Sequence, residues 1–255
     1  MELIDSHAHL NDPRFSPDLP QVLERSREAG IVAIVNVGFD LGSSRLAVAM
    51  ADEHADLYAA VAVHPHDASD VDDETLQTLR ELAANPKVVA VGESGLDFFR
   101  NLSPPQVQRK AFEQFIGLSA GVGKPLIVHC REAQDEVLKV LDANLDPAQT
   151  VVMHCFAGGM DFAEQCLQRG FHLGMAGTVT YPKSQVLRQV VAVTPAERLL
   201  IETDCPWLPP QGHRGERNEP AYIFKTLETV AAAREMAVEE TAALTTSNAR
   251  RVFGL

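Results

Sequence analysis

The chain has 255 residues, 45% of them hydrophobic, which is enough apolar material for a large core in one big domain or two small ones. Acidic residues outnumber basic ones by 35 to 22, a formal charge of -13, so the overall field does not draw in polyanions; a nucleic-acid substrate needs local help from metal ions or clustered arginines. There is no run of about twenty apolar residues and no basic start followed by an apolar stretch, so neither a membrane span nor a secretory leader is expected. Cys130, Cys155, Cys166 and Cys205 make no CxxC pair and read as reduced thiols of a cytoplasmic protein.

The first apolar run, residues 3–9, reads as a strand ending in His7-Ala8-His9. Residues two apart on a strand face the same way, about 6.5–7 Å apart, so the two imidazoles can hold one ion or simply decorate a surface strand. Similar runs follow at 32–39, 57–64, 88–97, 125–130, 150–156, 172–179 and 199–205. Between them, segments with helical spacing cover 19–28, 44–53, 75–84, 106–120, 136–142 and 162–169. Near-continuous apolar runs suit strands buried on both faces by helices. Gly30 and Gly170 stand where a left-handed helix cap favours glycine. Ser103-Pro104-Pro105-Gln106 predicts a capped helix start with proline at the first position, and Thr194-Pro195-Ala196-Glu197 repeats the device. A Pro/Gly/Arg-rich loop at 206–218, a helix near 221–236 and a short helical tail complete the chain. Eight strand–helix units predict an α/β fold, a (β/α)8 TIM barrel, as one domain over 1–255. An open doubly wound sheet would favour a Gly-rich loop after the first strand, where His-Ala-His stands instead.

Active sites of such barrels gather at the C-terminal ends of the strands. The first strand ends in His7 and His9, the third in His64-Pro65-His66, and the fourth runs through Gly92-Glu93-Ser94-Gly95-Leu96-Asp97. The fifth ends in His129-Cys130-Arg131, the sixth in His154-Cys155-Phe156 and the eighth in Glu202-Thr203-Asp204-Cys205-Pro206-Trp207; the seventh, at 174–177, is small and open. Polar groups ending apolar strands are costly if buried without partners. Four histidines with Glu93 and Asp204 suit divalent metals, and six ligands exceed one four-coordinate ion, so two ions (Zn, Mg or Mn) sharing Glu93 are expected. Two ions about 3.5–4 Å apart activate a water and stabilise the leaving oxygen of a phosphoester, with Asp204 placed to orient that water and take its proton. Glu93 and Asp204 are thus the expected catalytic carboxylates. His64 and Arg217 are the expected substrate contacts, ahead of Arg100, Arg131, Arg214 and His213. Trp207 can stack on a base or pack under its loop. Asp97 is expected to pair with a backbone amide or a basic side chain, His66 to be an exposed loop residue, and His54 and His172 to be surface or packing residues.

These motifs, His7-Ala8-His9, Gly92 to Asp97, Ile127-Val128-His129, Met153-His154-Cys155-Phe156 and Glu202 to Pro206, resemble the TatD family of metal-dependent deoxyribonucleases, a branch of the amidohydrolase-type barrels. The match runs in order over nearly the whole chain, and Arg214-Gly215-Glu216-Arg217-Asn218-Glu219-Pro220 resembles the family's loop after the eighth strand. The resemblance implies that His7, His9, Glu93 and Asp204 hold one ion and that Glu93, His129 and His154 hold the second. It implies hydrolysis of DNA phosphodiesters; single strands or ends are expected because a barrel rim is a pocket more than a groove. Two other readings stay open on fold and metals alone: hydrolysis of another ester or amide, such as D-aminoacyl-tRNA, and a non-catalytic metal-bound scaffold in DNA turnover. A monomer without membrane association is expected.

Overall fold

The computed structural model describes residues 1–255. Its strands are β1 (Leu3–Ala8), β2 (Ile31–Val37), β3 (Leu57–Val61), β4 (Val88–Asp97), β5 (Leu126–Arg131), β6 (Val151–Met153), β7 (His172–Met175) and β8 (Leu199–Ile201). Its helices are α1 (Leu19–Glu28), α2 (Leu41–Glu53), α3 (Asp73–Ala83), α4 (Pro105–Val122), α5 (Gln134–Asn144), α6 (Met160–Gln168), α7 (Gln185–Val193), α8 (Ile223–Ala233) and α9 (Val238–Phe253). The strands form one eight-stranded sheet in sequence order, and their alternation with helices is the predicted (β/α)8 barrel. The β3–β4, β4–β5, β5–β6 and β7–β8 pairs are parallel. β1 and β4 are buried along their full length, as strands covered by helices should be. No helix is long and apolar enough to cross a membrane.

Two compact units can be taken in turn, Met1–Val35 with His154–Leu255, and Asn36–Met153. In the first, the end of β1 is laced to the segment just beyond β8. The His9 N–H donates to the Cys205 carbonyl at 2.8 Å and the Asp204 N–H to the His7 carbonyl at 2.9 Å. The C-terminal helix α9 braces both strands from behind, because Asn248 Nδ2 donates to the carbonyls of Ala196 and Leu199 and Thr246 Oγ1 to that of Glu2. Gly30, at φ 86°, ends the α1 turn in the left-handed conformation its position predicts.

In the second unit, α4 lays Phe112, Phe115 and Ile116 into the core with no measurable exposure beyond 1%. β4 and β5 approach closely: Gly95 is paired with His129, and a Cβ there would collide with the His129 carbonyl. The glycines of the Gly92–Asp97 stretch are therefore a packing requirement of the strand that carries Glu93. Lys124 Nζ donates to the carbonyls of Ala83 (2.6 Å), Val88 (2.5 Å) and Asn85 (3.1 Å), fastening the end of α3 to the start of β4.

Several local expectations are corrected. The predicted Ser103 cap does not form: α4 is capped by Pro104 without a side-chain bond, while Ser103 Oγ donates to the His66 carbonyl at 2.7 Å. Thr194 likewise turns back onto the Val190 carbonyl, and residues after it make only the 3-10 turn Ala196–Arg198. α2 starts three residues earlier than its apolar spacing implies, because Asp40 and Ser43 form a reciprocal capping box. The sixth, seventh and eighth runs shorten to strands of 3, 4 and 3 residues, and His154 and Asp204 lie just past the ladder.

A hydrogen bond to a charged group contributes about 1.5–3 kcal/mol, and because water reaches the half-buried Lys124, its three carbonyl bonds together count as about one such bond. Lys124→Met is expected to lower the unfolding free energy by about 2–3 kcal/mol, read as a shift in denaturant midpoint at constant slope; an unchanged midpoint would show that these bonds are replaceable by water.

Candidate metal centre

The β1–β8 lacing sets the first group of side chains. His7 and His9 are 0% and 1% exposed, and their Nε2 atoms lie 3.0 Å apart. Asp204 Oδ1 stands 3.4 Å from His9 Nε2 and 3.8 Å from His7 Nε2. Two nitrogens bound to one ion at about 2.0–2.1 Å, at ordinary coordination angles, are themselves about 3–3.4 Å apart. The donor atoms thus have both the chemistry and the spacing a shared cation requires. Asp204 adopts φ 56°, a left-handed conformation uncommon outside glycine. It is held there by its own N–H bond to His7 and by the Trp207 N–H, which donates to the Asp204 carbonyl at 3.0 Å.

Behind these side chains lie two fully buried acids. Asp5 accepts from Thr203 Oγ1 (2.6 Å), the Thr203 N–H (3.0 Å) and the His7 N–H (3.3 Å), a second tie between β1 and the segment after β8. Burial pushes its carboxyl up to about 7, against the pull of those hydrogen bonds. Glu202 accepts from the Cys155 N–H through Oε1 and from Ser6 Oγ through Oε2, and Oε1 lies 3.6 Å from His154 Nδ1. His154 stacks on His7 with ring centroids 4.0 Å apart. The small end of the seventh strand now has a reason: a Cβ on Gly174 would occupy the space of the Glu202 carboxylate.

In the second unit, Glu93 is 5% exposed on β4 and its Oε2 lies 3.5 Å from His129 Nδ1. His64 Nε2 is 3.3 Å from the same His129 nitrogen, and the donor atoms of His64, Glu93 and His129 fall within 4.8 Å of one another. The other face of His129 is fixed by Asp97, whose Oδ2 is 3.3 Å from His129 Nε2 and 2.9 Å from His66 Nε2. An acid on one ring nitrogen directs the other towards the ligand site, the usual arrangement behind a metal-binding histidine. Asp97 also accepts the Arg100 N–H at 2.8 Å. Burial alone would raise its carboxyl, but the bonds from His129, Arg100 and His66 outweigh this and hold it well below the usual carboxylate range. Asp97 thus makes the backbone and basic contacts expected of it. His66 does not match the expected exposed loop residue, since Asp97 draws its ring inward.

The proposed substrate contacts differ in their surroundings. His64 stands with His129 and accepts the His66 N–H at 3.1 Å. Arg217 makes a bidentate ion pair with Asp18, 2.7 Å on each arm, and donates to the Arg14 carbonyl. Beside it Arg25 grips Glu219 at 2.6 and 2.9 Å, so the loop after β8 is riveted to α1 by two such pairs. Arg131 lies over Phe99 and Arg214 over Tyr181. His213 contacts Glu216 at 2.8 Å and stacks on Tyr222. His172 is a buried packing residue. Sequence reasoning assigned no role to Asp5 or Glu202; the signal for Asp5 was available, an acid inside the apolar run Leu3-Ile4-Asp5.

Residues 4–254 match the protein family described as TatD related DNase. The chain is 41% identical over 251 residues to "Uncharacterized metal-dependent hydrolase YabD" of Bacillus subtilis (strain 168), covering 98% of each. It is 40% identical over 259 residues to "3'-5' ssDNA/RNA exonuclease TatD" of Erwinia amylovora, covering 99% of this chain and 100% of the relative. Among solved structures it superposes on YJJV, a TatD homolog from Escherichia coli K12, with a TM-score of 0.94 at 30% identity, over 99% of this chain and 98% of the other. Sequence, fold and the placement of the histidine–carboxylate groups at strand ends agree: the chain belongs to the TatD-related DNase family.

Proposed function

We propose that this metal-dependent hydrolase of the TatD family cleaves phosphodiester bonds of DNA, on single strands or at ends, using a centre for two divalent cations. The observation that carries the proposal is the His7–His9–Asp204 group, three buried donors at the mutual spacing one cation imposes. A relative 40% identical carries the name of a 3'-5' exonuclease of single-stranded DNA and RNA, which favours nucleic acid over other esters.

In this reading His7, His9, Glu93 and Asp204 hold one ion, and Glu93, His129 and His154 hold the other, with Zn, Mg or Mn as the candidates. When bound, such a pair makes hydroxide available near neutral pH and offsets charge on the phosphate. The protein's own part is positional and protolytic. Asp204 Oδ1 lies beside both imidazoles, and the Asp204 carboxylate would take the proton of the attacking water. Glu202 and Asp97 keep His154 and His129 in the ring orientations that ligation needs. His64 contacts a substrate phosphate beside His129. Arg217 reaches one by exchanging the Asp18 carboxylate for the phosphate, one bidentate oxyanion for another. With a net charge of -13, capture of the substrate relies on these local cations.

Chelation is expected to abolish cleavage of single-stranded DNA, and Mg, Mn or Zn to restore it; cleavage that survives chelation refutes a metal mechanism. Asp204→Asn is expected to keep bound metal while turnover falls by about 10²–10⁴, the usual contribution of a general base. Steady-state kinetics alongside metal analysis measure this, and a near-native rate removes Asp204 as the base. His129→Ala should reduce the metal content from two ions per chain towards one, and unchanged stoichiometry would contradict the assignment of the second ion.

A further inference from the structure

We propose that Trp207, backed by Arg14 and set beside His9, is a stacking platform for a nucleobase of single-stranded DNA next to the metal centre. The proposal rests on the phosphodiesterase reading and identifies the part of the substrate that the chain grips besides the phosphate.

Three features of the chain build this platform. The turn Asp204–Trp207 closes with the Trp207 N–H on the Asp204 carbonyl, which puts the indole three residues past a proposed ligand. Asn218, fully buried, donates through Nδ2 to the carbonyls of both Trp207 (2.7 Å) and Thr203 (2.8 Å), so the Trp207 backbone is pinned from two sides. From the loop after β1, Asp12 accepts the Arg14 N–H and also grips the guanidinium at Nε (2.8 Å) and Nη2 (2.9 Å). That plane lies over the indole, 4.6 Å from the ring centre. The His9 ring meets the indole nearly edge-on, with centroids 5.0 Å apart.

A tryptophan packed for stability would be covered, yet Trp207 keeps 40% of its surface exposed while its backbone is immobilised. Rigid anchoring with an open aromatic surface is the arrangement base stacking needs, because the ordering cost is met before the ligand arrives. Arg14 is held by Asp12 with its guanidinium over the indole, so it serves the ring as a flat cationic backing. A base laid on the indole is held beside the His7–His9–Asp204 group, since the indole touches the His9 ring. The acidic net charge adds a reason: a strand that the overall field does not attract is held by a contact that does not depend on counterion release.

Trp207 is the only tryptophan in the chain, so the emission of the native protein reports on this side chain alone. The test titrates the metal-loaded protein with a cleavage-resistant phosphorothioate thymidine hexamer and with an abasic hexamer of the same backbone, following emission and, separately, the anisotropy of labelled oligomers. The thymidine hexamer is expected to quench the emission saturably and the abasic one to bind more weakly without quenching. Trp207→Ala is expected to weaken binding of the thymidine hexamer about tenfold and to erase its preference over the abasic strand, with Trp207→Tyr retaining most of that preference. Saturable binding with unchanged emission, or the same preference in Trp207→Ala, overturns the platform while leaving the phosphodiesterase reading in place. If the native protein neither binds the hexamer nor cleaves single-stranded DNA, both fall together.

Discussion

Two backbone hydrogen bonds, from His9 to Cys205 and from Asp204 to His7, govern the His7–His9–Asp204 group. They are ordinary ladder contacts in strength, but they fix the register between the first and last strands of the sheet. A slip of one residue in either would turn its side chains to the opposite face and separate the imidazoles from the carboxylate. Asp5 reinforces that register from within the core by bonding Thr203 and the His7 amide together. Burying an acid there is costly, and the core accepts it where it prevents such a slip.

Acids recur in this supporting role. Asp5 ties two strands, Glu202 spans Ser6, Cys155 and the neighbourhood of His154, and Asp97 holds His66 and His129. Each is buried, each has several donors around it, and each stands one step behind a residue assigned to metal. The arrangement lets the histidines present a chosen nitrogen without relying on solvent. It also accounts for part of the acidic excess: some of the 35 carboxylates are internal fittings of the site and add nothing to a surface field.

The barrel was legible because its parts speak in composition. Val- and Ile-rich runs broken by amphipathic stretches leave few alternatives once eight of them recur. Where the reading failed, tertiary contacts outweighed the local signal. Helix α7, Gln-Val-Leu-Arg-Gln-Val-Val-Ala-Val, is so rich in β-branched residues that its spacing was not read as helical, and packing against α8 decides it. Ser103 has the look of a cap and spends its hydroxyl on a distant carbonyl instead. The histidines proposed as ligands were visible because polar residues at the ends of apolar runs stand out. Arg217 shows the opposite limit: a sequence can mark a cation near the rim, but not the Asp18 that already holds it.

The bracing of β1 and β8 by α9 has a bearing on how the enzyme comes into being. The segment with His7 and His9 precedes Asp204, the helix behind both strands, and the Thr203 that bonds Asp5, a partner 198 positions further along the chain. Pairings so distant along the chain form late, since closing the intervening loop must come before any contact rewards it. His7 and His9 therefore stay without their carboxylate partner while the residues between them and Asp204 are made. The His7–His9–Asp204 group is thus completed only once the residues that follow β8 have joined the first strand.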